Sequence, residues 1–148
     1  MKIIVISGSH SNIGKTTLLR NIQVKLQPSS TIAIKLGHRS FNSEKPEKFF
    51  SNMPEGLEYI ESLRKSGSTD FLLIESNSIF NYLEPDLGIF LQSKGKTEKD
   101  SAVLAKSKAD IIIDENFDCN TAVKIINEKT GMKLLDDVLW DQYKYIYN

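Results

Sequence analysis

One short segment constrains the fold of this chain more than any other, because it reads as a strand, a loop and a helix in direct succession. Residues 6–22 are ISGSHSNIGKTTLLRNI, and the strand-favouring residues 3–6 (IIVI) lead into the loop. The common phosphate-binding pattern is G-x-x-x-x-G-K-[ST]. Five residues separate Gly8 from Gly14 here, so the loop is one residue longer than that pattern, or else Ser9 replaces the first glycine.

The loop also has the chemistry that phosphate binding requires. Gly14 has no Cβ and lets the backbone come close to a phosphate. The start of the following helix offers free N–H groups and the positive end of the helix dipole. Lys15 can reach the outer phosphates, and the hydroxyl of Thr16 can bind Mg²⁺. The alternative is a plain Gly/Ser-rich turn, but Gly-Lys-Thr-Thr directly after a strand and a loop favours a nucleotide site.

The overall composition limits the classes of protein to consider. The chain has 148 residues, enough for one domain with a real core, and 40% of them are hydrophobic. Lys+Arg and Asp+Glu both number 19, which argues against a general nucleic-acid binder. No apolar run approaches the ~18 residues of a membrane span, and the first residues do not resemble a signal peptide. With Cys119 as the single cysteine, we expect a cytoplasmic protein with no nucleic-acid or membrane partner.

Apolar runs alternate with helical patterns along the chain, which is typical of βαβ units and a parallel sheet. Strands are predicted at residues 2–7, 31–36, 70–75, 87–91 and 110–113. Helices are predicted at residues 15–26, 54–67, 100–109 and 121–129, with a polar loop at 37–53 and a partly helical aromatic tail at 133–148. Together with the loop pattern, this order predicts one domain with the three-layer α/β fold of P-loop NTPases, in which helices flank a mostly parallel sheet.

An acidic residue at the end of a neighbouring strand is the second component of a Mg²⁺–phosphate site. Glu75 ends the predicted strand 70–75 and is the candidate, whereas Asp70 begins that strand and should lie at the opposite edge. The competing interpretation of Glu75 is an acid at the start of the next loop. His38 and Arg39 follow the second strand and are candidates to contact phosphate or water, although a solvated loop is an equal alternative.

The residues that would read the base are not evident from the sequence. Many GTP-binding domains carry Asn/Thr-Lys-x-Asp after a late strand, and no such run occurs here. Residues 93–96 (SKGK) and 97–100 (TEKD) lie in the right region in the wrong order, and residues 114–116 (DEN) follow the last predicted strand. The sequence therefore does not distinguish GTP from ATP as the nucleotide.

Three segments resemble a known family. The longer loop at 8–17 (GSHSNIGKTT) looks like that of the P-loop branch that includes dethiobiotin synthetase, the cobyrinic acid amidotransferases and the molybdopterin-guanine dinucleotide biosynthesis proteins of the MobB type. Residues 33–51 (AIKLGHRSFNSEKPEKFFS) and 70–76 (DFLLIES) are similar to MobB segments. The similarity spans residues 1–76, about half of the chain. This chain differs from the MobB pattern at Glu47, Phe49 and Ser76, which replace a glycine, an aspartate and a glycine.

The resemblance implies a GTP-binding adaptor with weak GTPase activity that assists attachment of GMP to molybdopterin. It also implies a guanylyltransferase partner and a homodimer. It marks Thr16 and Glu75 for Mg²⁺, and Lys15 with Glu75 as the catalytic pair. The candidate nucleotide-binding residues are Gly8, Ser9, His10, Ser11, Asn12, Ile13, Gly14, Lys15, Thr16, Thr17, His38 and Arg39.

Two other functions fit the same residues. The first is an ATP-dependent kinase or ligase of a small metabolite, whose acceptor pocket would involve His38, Arg39 and residues 76–84 (SNSIFNYLE). The second is an interaction module that binds nucleotide without hydrolysing it and docks a partner on its aromatic tail. Stimulation of ATP turnover by a small molecule distinguishes the first from the second.

Overall fold

The computed structural model describes residues 1–10, 13–27, 29–37, 48–95 and 98–116, together with residues 118 and 124. The predicted tail at 133–148 and the predicted helix 121–129, apart from Lys124, lie outside the described residues, as does Cys119.

The centre of the molecule is a six-stranded sheet in which every described pair of neighbouring strands is parallel. Its strands are β1 (Lys2–Gly8), β2 (Thr31–Leu36), β3 (Lys48–Phe50), β4 (Phe71–Glu75), β5 (Leu87–Gln92) and β6 (Ile111–Asp114). Their order across the sheet is β3-β2-β4-β1-β5-β6. The inner strands are runs of buried apolar residues, as expected when both faces of a sheet are covered.

Helices cover both faces of the sheet and give the molecule three layers. They are α1 (Lys15–Lys25), α2 (Met53–Ser66) and α3 (Asp100–Lys108), with a short 3₁₀ helix at Ser78–Asn81. The apolar side of α1 packs on one face in a core that includes Leu18, Ile22 and Leu73. The other helices pack on the second face, where Ile60 and Ala102 belong to the same core cluster. The predicted three-layer α/β fold with a parallel sheet is confirmed.

The prediction of a loop throughout residues 37–53 is wrong at its C-terminal end. Lys48–Phe50 forms the edge strand β3, which pairs with β2 so that Phe49 lies opposite Lys35. The ring of Phe50 packs on Tyr59 with 5.3 Å between centroids, and the Lys48 ammonium lies 4.0 Å from the Tyr59 centroid. Three residues carry too little periodicity to predict a strand, so it is the pairing with β2 that selects the extended conformation. The remaining residues of that loop, 38–47, lie outside the described residues.

Helix α2 begins and ends as its sequence signals predict, to within one residue. The Asn52 side chain accepts a hydrogen bond from the Glu55 N–H at 3.2 Å and caps the helix, and Pro54 lies in the first turn. Gly67 ends the helix with a positive φ of 66°. Asn52 therefore sets the start at Met53, one residue before the predicted start at Pro54.

The strand order determines where a ligand site can form. The strands that follow β1 in the chain lie on both sides of it, since β2 and β4 are on one side and β5 and β6 on the other. In open α/β sheets, ligands bind beyond the carboxyl ends of the strands at such a reversal of order. The segments after β1, β4 and β5 are therefore brought together at one edge of the sheet.

Within the described part of the chain, no helix combines the length and apolarity that crossing a membrane would require.

Candidate functional site

The loop after β1 is held in the core near its C-terminal end and leads directly into α1. Ile13 is buried in the core beneath α1, and Gly14 turns the chain into the helix with φ 111° and ψ 14°, a left-handed conformation that favours glycine. The carbonyl of Gly14 accepts the Leu18 N–H at 3.0 Å. Among the described residues, no side chain caps this end of α1 and no acid lies in its first turn. Within α1 itself, no acidic side chain therefore neutralises the positive end of the helix dipole.

A carboxylate and two polar side chains meet beside the start of α1. Glu75 ends β4, is 4% exposed and accepts hydrogen bonds from the Thr16 hydroxyl at 3.2 and 3.4 Å. The Lys35 ammonium, from the carboxyl end of β2, lies 3.9 Å from the same carboxylate. The structure therefore brings together the two residues predicted to hold a metal. It also adds Lys35, for which the sequence alone gave no role in the site.

Lys15 lies among several charges at this edge of the sheet. Burial lowers the pKa of Lys15 below its ordinary value of 10.5, because the charged ammonium loses part of its hydration. The negative charge of Glu75 raises the pKa, while the positive charges of Lys35 and Lys99 lower it further. Three lysines and one carboxylate thus act on the same region, and the excess of positive charge favours an anionic ligand.

The opposite side of the loop is bound to β5. Ser9 is buried, its N–H donates to the Leu91 carbonyl at 3.0 Å, and its hydroxyl donates to the same oxygen at 3.3 Å. The hydroxyl in turn accepts the Ser93 N–H at 3.0 Å. The N–H and the hydroxyl of Ser9 are therefore engaged in holding the loop against β5.

Asn77 is a site residue for which the sequence carries no motif. Its side chain bonds to both backbone polar groups of Gly8, at the start of the loop. Only the strand register reveals this contact: β4 ends two residues before Asn77, and Ile6 pairs with Glu75.

Of the other candidate site residues, two lie in the described part of the chain and four do not. His10 and Thr17 lie on the described parts of the loop and of α1, half-buried and exposed respectively. Asp70 lies at the opposite edge, as predicted, where its carboxylate accepts the Ser30 N–H at 2.9 Å. The predictions for Ser11, Asn12, His38 and Arg39 fall on positions outside the described residues.

The segment considered for base contacts follows β6. Its Glu115 N–H donates to the Gln92 carbonyl at 2.8 Å, and Asn116 has a positive φ of 64°. This turn therefore lies at the same edge of the sheet as the loop, two strands away from β1.

A groove lies away from the loop, at the opposite edge of the sheet. It has a volume of about 580 Å³ and is lined by residues 80–85 and Lys108. Lys108 ends α3, and residues 82–86 lead into the start of β5. Of the predicted acceptor segment 76–84, the part from Phe80 onward thus lines this groove and does not adjoin the start of α1.

The groups beside the start of α1 could hold a phosphate together with a hard cation. Mg²⁺ prefers oxygen ligands and is commonly held by one or two protein groups plus substrate phosphates. The Thr16 hydroxyl and the Glu75 carboxylate are such a pair. The described residues contain no cluster of three or more His, Cys, Asp or Glu side chains that would bind a metal without a ligand's help.

Comparisons with known proteins returned no match, either to a protein-family model or to a curated protein.

Proposed function

We propose that this chain is a Mg²⁺-dependent P-loop protein that binds GTP and hydrolyses it slowly. The observation that supports this most is the convergence of Lys15, Thr16 and Glu75 at the uncapped start of α1. Phosphate groups bind where backbone N–H donors, a lysine and a metal-binding side chain lie together.

In this proposal each residue has a separate task. Lys15 and the N–H groups at the start of α1 bind the β- and γ-phosphates, and Lys35 and Lys99 add positive charge nearby. Gly14 permits the close approach of the backbone. Binding of an anion favours the charged form of Lys15 and offsets the cost of its burial.

The residues present fit the metal that the proposal requires. Thr16 and Glu75 would hold Mg²⁺, and the ion would supply positive charge to the phosphate oxygens. Glu75 is kept in place for that task by the Thr16 hydroxyl and by Lys35.

Hydrolysis should be slow when the protein acts alone. In the described part of the chain, the side chains that contact the Glu75 carboxylate are Thr16 and Lys35, and neither is a base that would orient a water molecule. Positioning and charge stabilisation supply most of the catalysis in phosphoryl transfer, so an incomplete site gives low turnover. A partner that adds a charged or polar group would raise the rate.

The resemblance to the MobB proteins supports the more specific part of the proposal. It favours GTP as the nucleotide and a role as an accessory protein in the biosynthesis of the molybdopterin guanine dinucleotide cofactor. A guanylyltransferase partner, a homodimer and a cytoplasmic location belong to the same proposal.

Displacement of a fluorescent GTP analogue tests the nucleotide and the phosphates separately. We expect GTP and GDP to displace the analogue, GMP to do so poorly because it lacks the outer phosphates, and ATP to compete less well than GTP. Equal competition by GMP would contradict the assignment of Lys15. Preference for ATP would support a kinase or ligase of a small metabolite in place of the GTP-binding function.

A further inference from the structure

The Asn77 side chain completes the sheet at the point where the loop begins. Its Oδ1 accepts the Gly8 N–H at 2.9 Å, and its Nδ2 donates to the Gly8 carbonyl at 3.0 Å. In the parallel register Ile6 pairs with Glu75, so Gly8 falls opposite position 77. Because β4 ends at Glu75, the Asn77 side-chain amide supplies the donor and the acceptor that the backbone of a longer β4 would otherwise provide.

The same short segment also holds the other end of the loop. Glu75, two residues before Asn77, accepts the hydroxyl of Thr16. Residues 75–77 therefore contact the loop where it leaves β1 and where it enters α1.

The backbone next to Asn77 has its own supports. The Ser76 N–H donates to the Ile6 carbonyl at 3.1 Å, and the Ser76 hydroxyl accepts the Ile79 N–H at 3.2 Å at the start of the 3₁₀ helix. Removing the Asn77 side chain should thus release Gly8 while leaving residues 75–79 in place.

We propose that Asn77 is a positioning residue that holds the start of the phosphate loop through Gly8 and thereby raises the affinity for a nucleoside triphosphate. This inference rests on the proposed function of the loop. The gain in affinity comes from preorganisation, because a loop that is already ordered loses less conformational entropy when it binds.

The experiment compares Asn77→Ala and Asn77→Asp with Asn81→Ala, an exposed asparagine of the 3₁₀ helix. The carboxylate of the Asn77→Asp variant would keep an acceptor for the Gly8 N–H but lack the amide donor, so the two variants remove different parts of the contact. Two readouts are needed, both well below the unfolding temperature: hydrogen exchange of the Gly8 amide, and GTP affinity in Mg²⁺ and in EDTA.

We expect Asn77→Ala to speed exchange at Gly8 and to weaken GTP binding about 10-fold, because the variant must order the start of the loop when it binds. Because Asn77 acts on the loop and not on the metal, the loss should be the same in Mg²⁺ and in EDTA. Asn77→Asp should keep more of the Gly8 protection yet also lose affinity, and Asn81→Ala should change neither quantity.

Unchanged GTP affinity in Asn77→Ala, with faster exchange at Gly8, would overturn the inference and leave the proposed function standing. A loss confined to Mg²⁺ would also overturn it, because Asn77 would then act through Glu75. If the wild-type protein binds no nucleotide, the proposed function fails and the inference fails with it.

Discussion

At the scale of single residues, Lys15 and Glu75 carry the proposed chemistry. Lys15 is desolvated at the edge of the sheet, and Glu75 is a buried carboxylate in contact with Thr16 and Lys35. A bound phosphate would interact with the charge of Lys15, and a bound cation with that of Glu75. Each therefore yields a prediction that does not depend on which base the nucleotide carries.

The titration of Lys15 should report its burial and its ligand. Burial lowers the pKa of Lys15 below 10.5, so the ammonium costs stability below the folded-state pKa, and that cost disappears as the pH rises past the unfolded value. Affinity for a polyphosphate should fall as the pH rises through the folded-state pKa. NMR titration of the lysine side chains, with Lys15→Arg to assign the signal, should show a midpoint below 10.5 that rises when triphosphate is added. A midpoint at or above the ordinary value would contradict the described environment.

Replacing Glu75 with glutamine should separate the metal from the phosphates. Glu75→Gln removes the negative charge that Lys15 and Lys35 face, so binding of GTP in EDTA should hold or strengthen. The additional affinity that Mg²⁺ provides should be lost, because the amide is a weaker ligand for a hard cation. Calorimetry in both conditions measures the two effects, with the exposed Glu84→Gln as the control. Equal losses in Mg²⁺ and in EDTA would show that Glu75 serves structure only.

At the scale of helices and strands, local signals in the sequence were sufficient for most elements. The predicted bounds of β1, α1 and α2 all agree with the structure to within two residues. The sequence does not predict β3, because its three residues are extended through pairing with β2. A pairing between separate strands leaves no local signal in the sequence. Asn77 was missed for the same reason, since its role follows from the register of β1 and β4.

The Asn52 cap of α2 offers a test at this scale. Asn52→Ala removes the acceptor for the Glu55 N–H and should lower the free energy of unfolding by about 1 kcal/mol. Asn52→Asp keeps an oxygen at the same place and should retain most of that stability. Chemical denaturation measures both variants. Equal stability of Asn52→Ala and the wild-type protein would show that the cap contributes nothing.

At the scale of the whole molecule, the sheet separates the start of α1 from the groove lined by residues 80–85. Under the kinase or ligase alternative, residues 76–84 would contribute to an acceptor pocket, but this segment runs from the carboxyl end of β4 to the opposite edge of the sheet. Among the described residues, the beginning of the segment contacts the loop through the hydrogen bonds of Asn77 to Gly8. The position of Glu75 could be predicted because it follows from the end of a buried strand. The path of the chain from β4 to β5 could not, because it depends on how the 3₁₀ helix packs.

The groove at the opposite edge should be independent of nucleotide binding. Tyr82 lies in this groove and is 58% exposed. Tyr82→Ala should leave the affinity for GTP unchanged, because the groove and the start of α1 lie at opposite edges of the sheet. Fluorescence titration of the variant checks this expectation. A large loss of affinity would mean that the groove and the loop are coupled.

The most direct test of the central claim is a calorimetric titration of the protein with GTP, in Mg²⁺ and in EDTA, repeated with Lys15→Ala. Lys65→Ala, an exposed lysine in the last turn of α2, is the control. We predict saturable binding that Mg²⁺ strengthens, that is lost in Lys15→Ala, and that is unchanged in Lys65→Ala. Binding that survives in Lys15→Ala, or no binding by the folded wild-type protein, would contradict the claim.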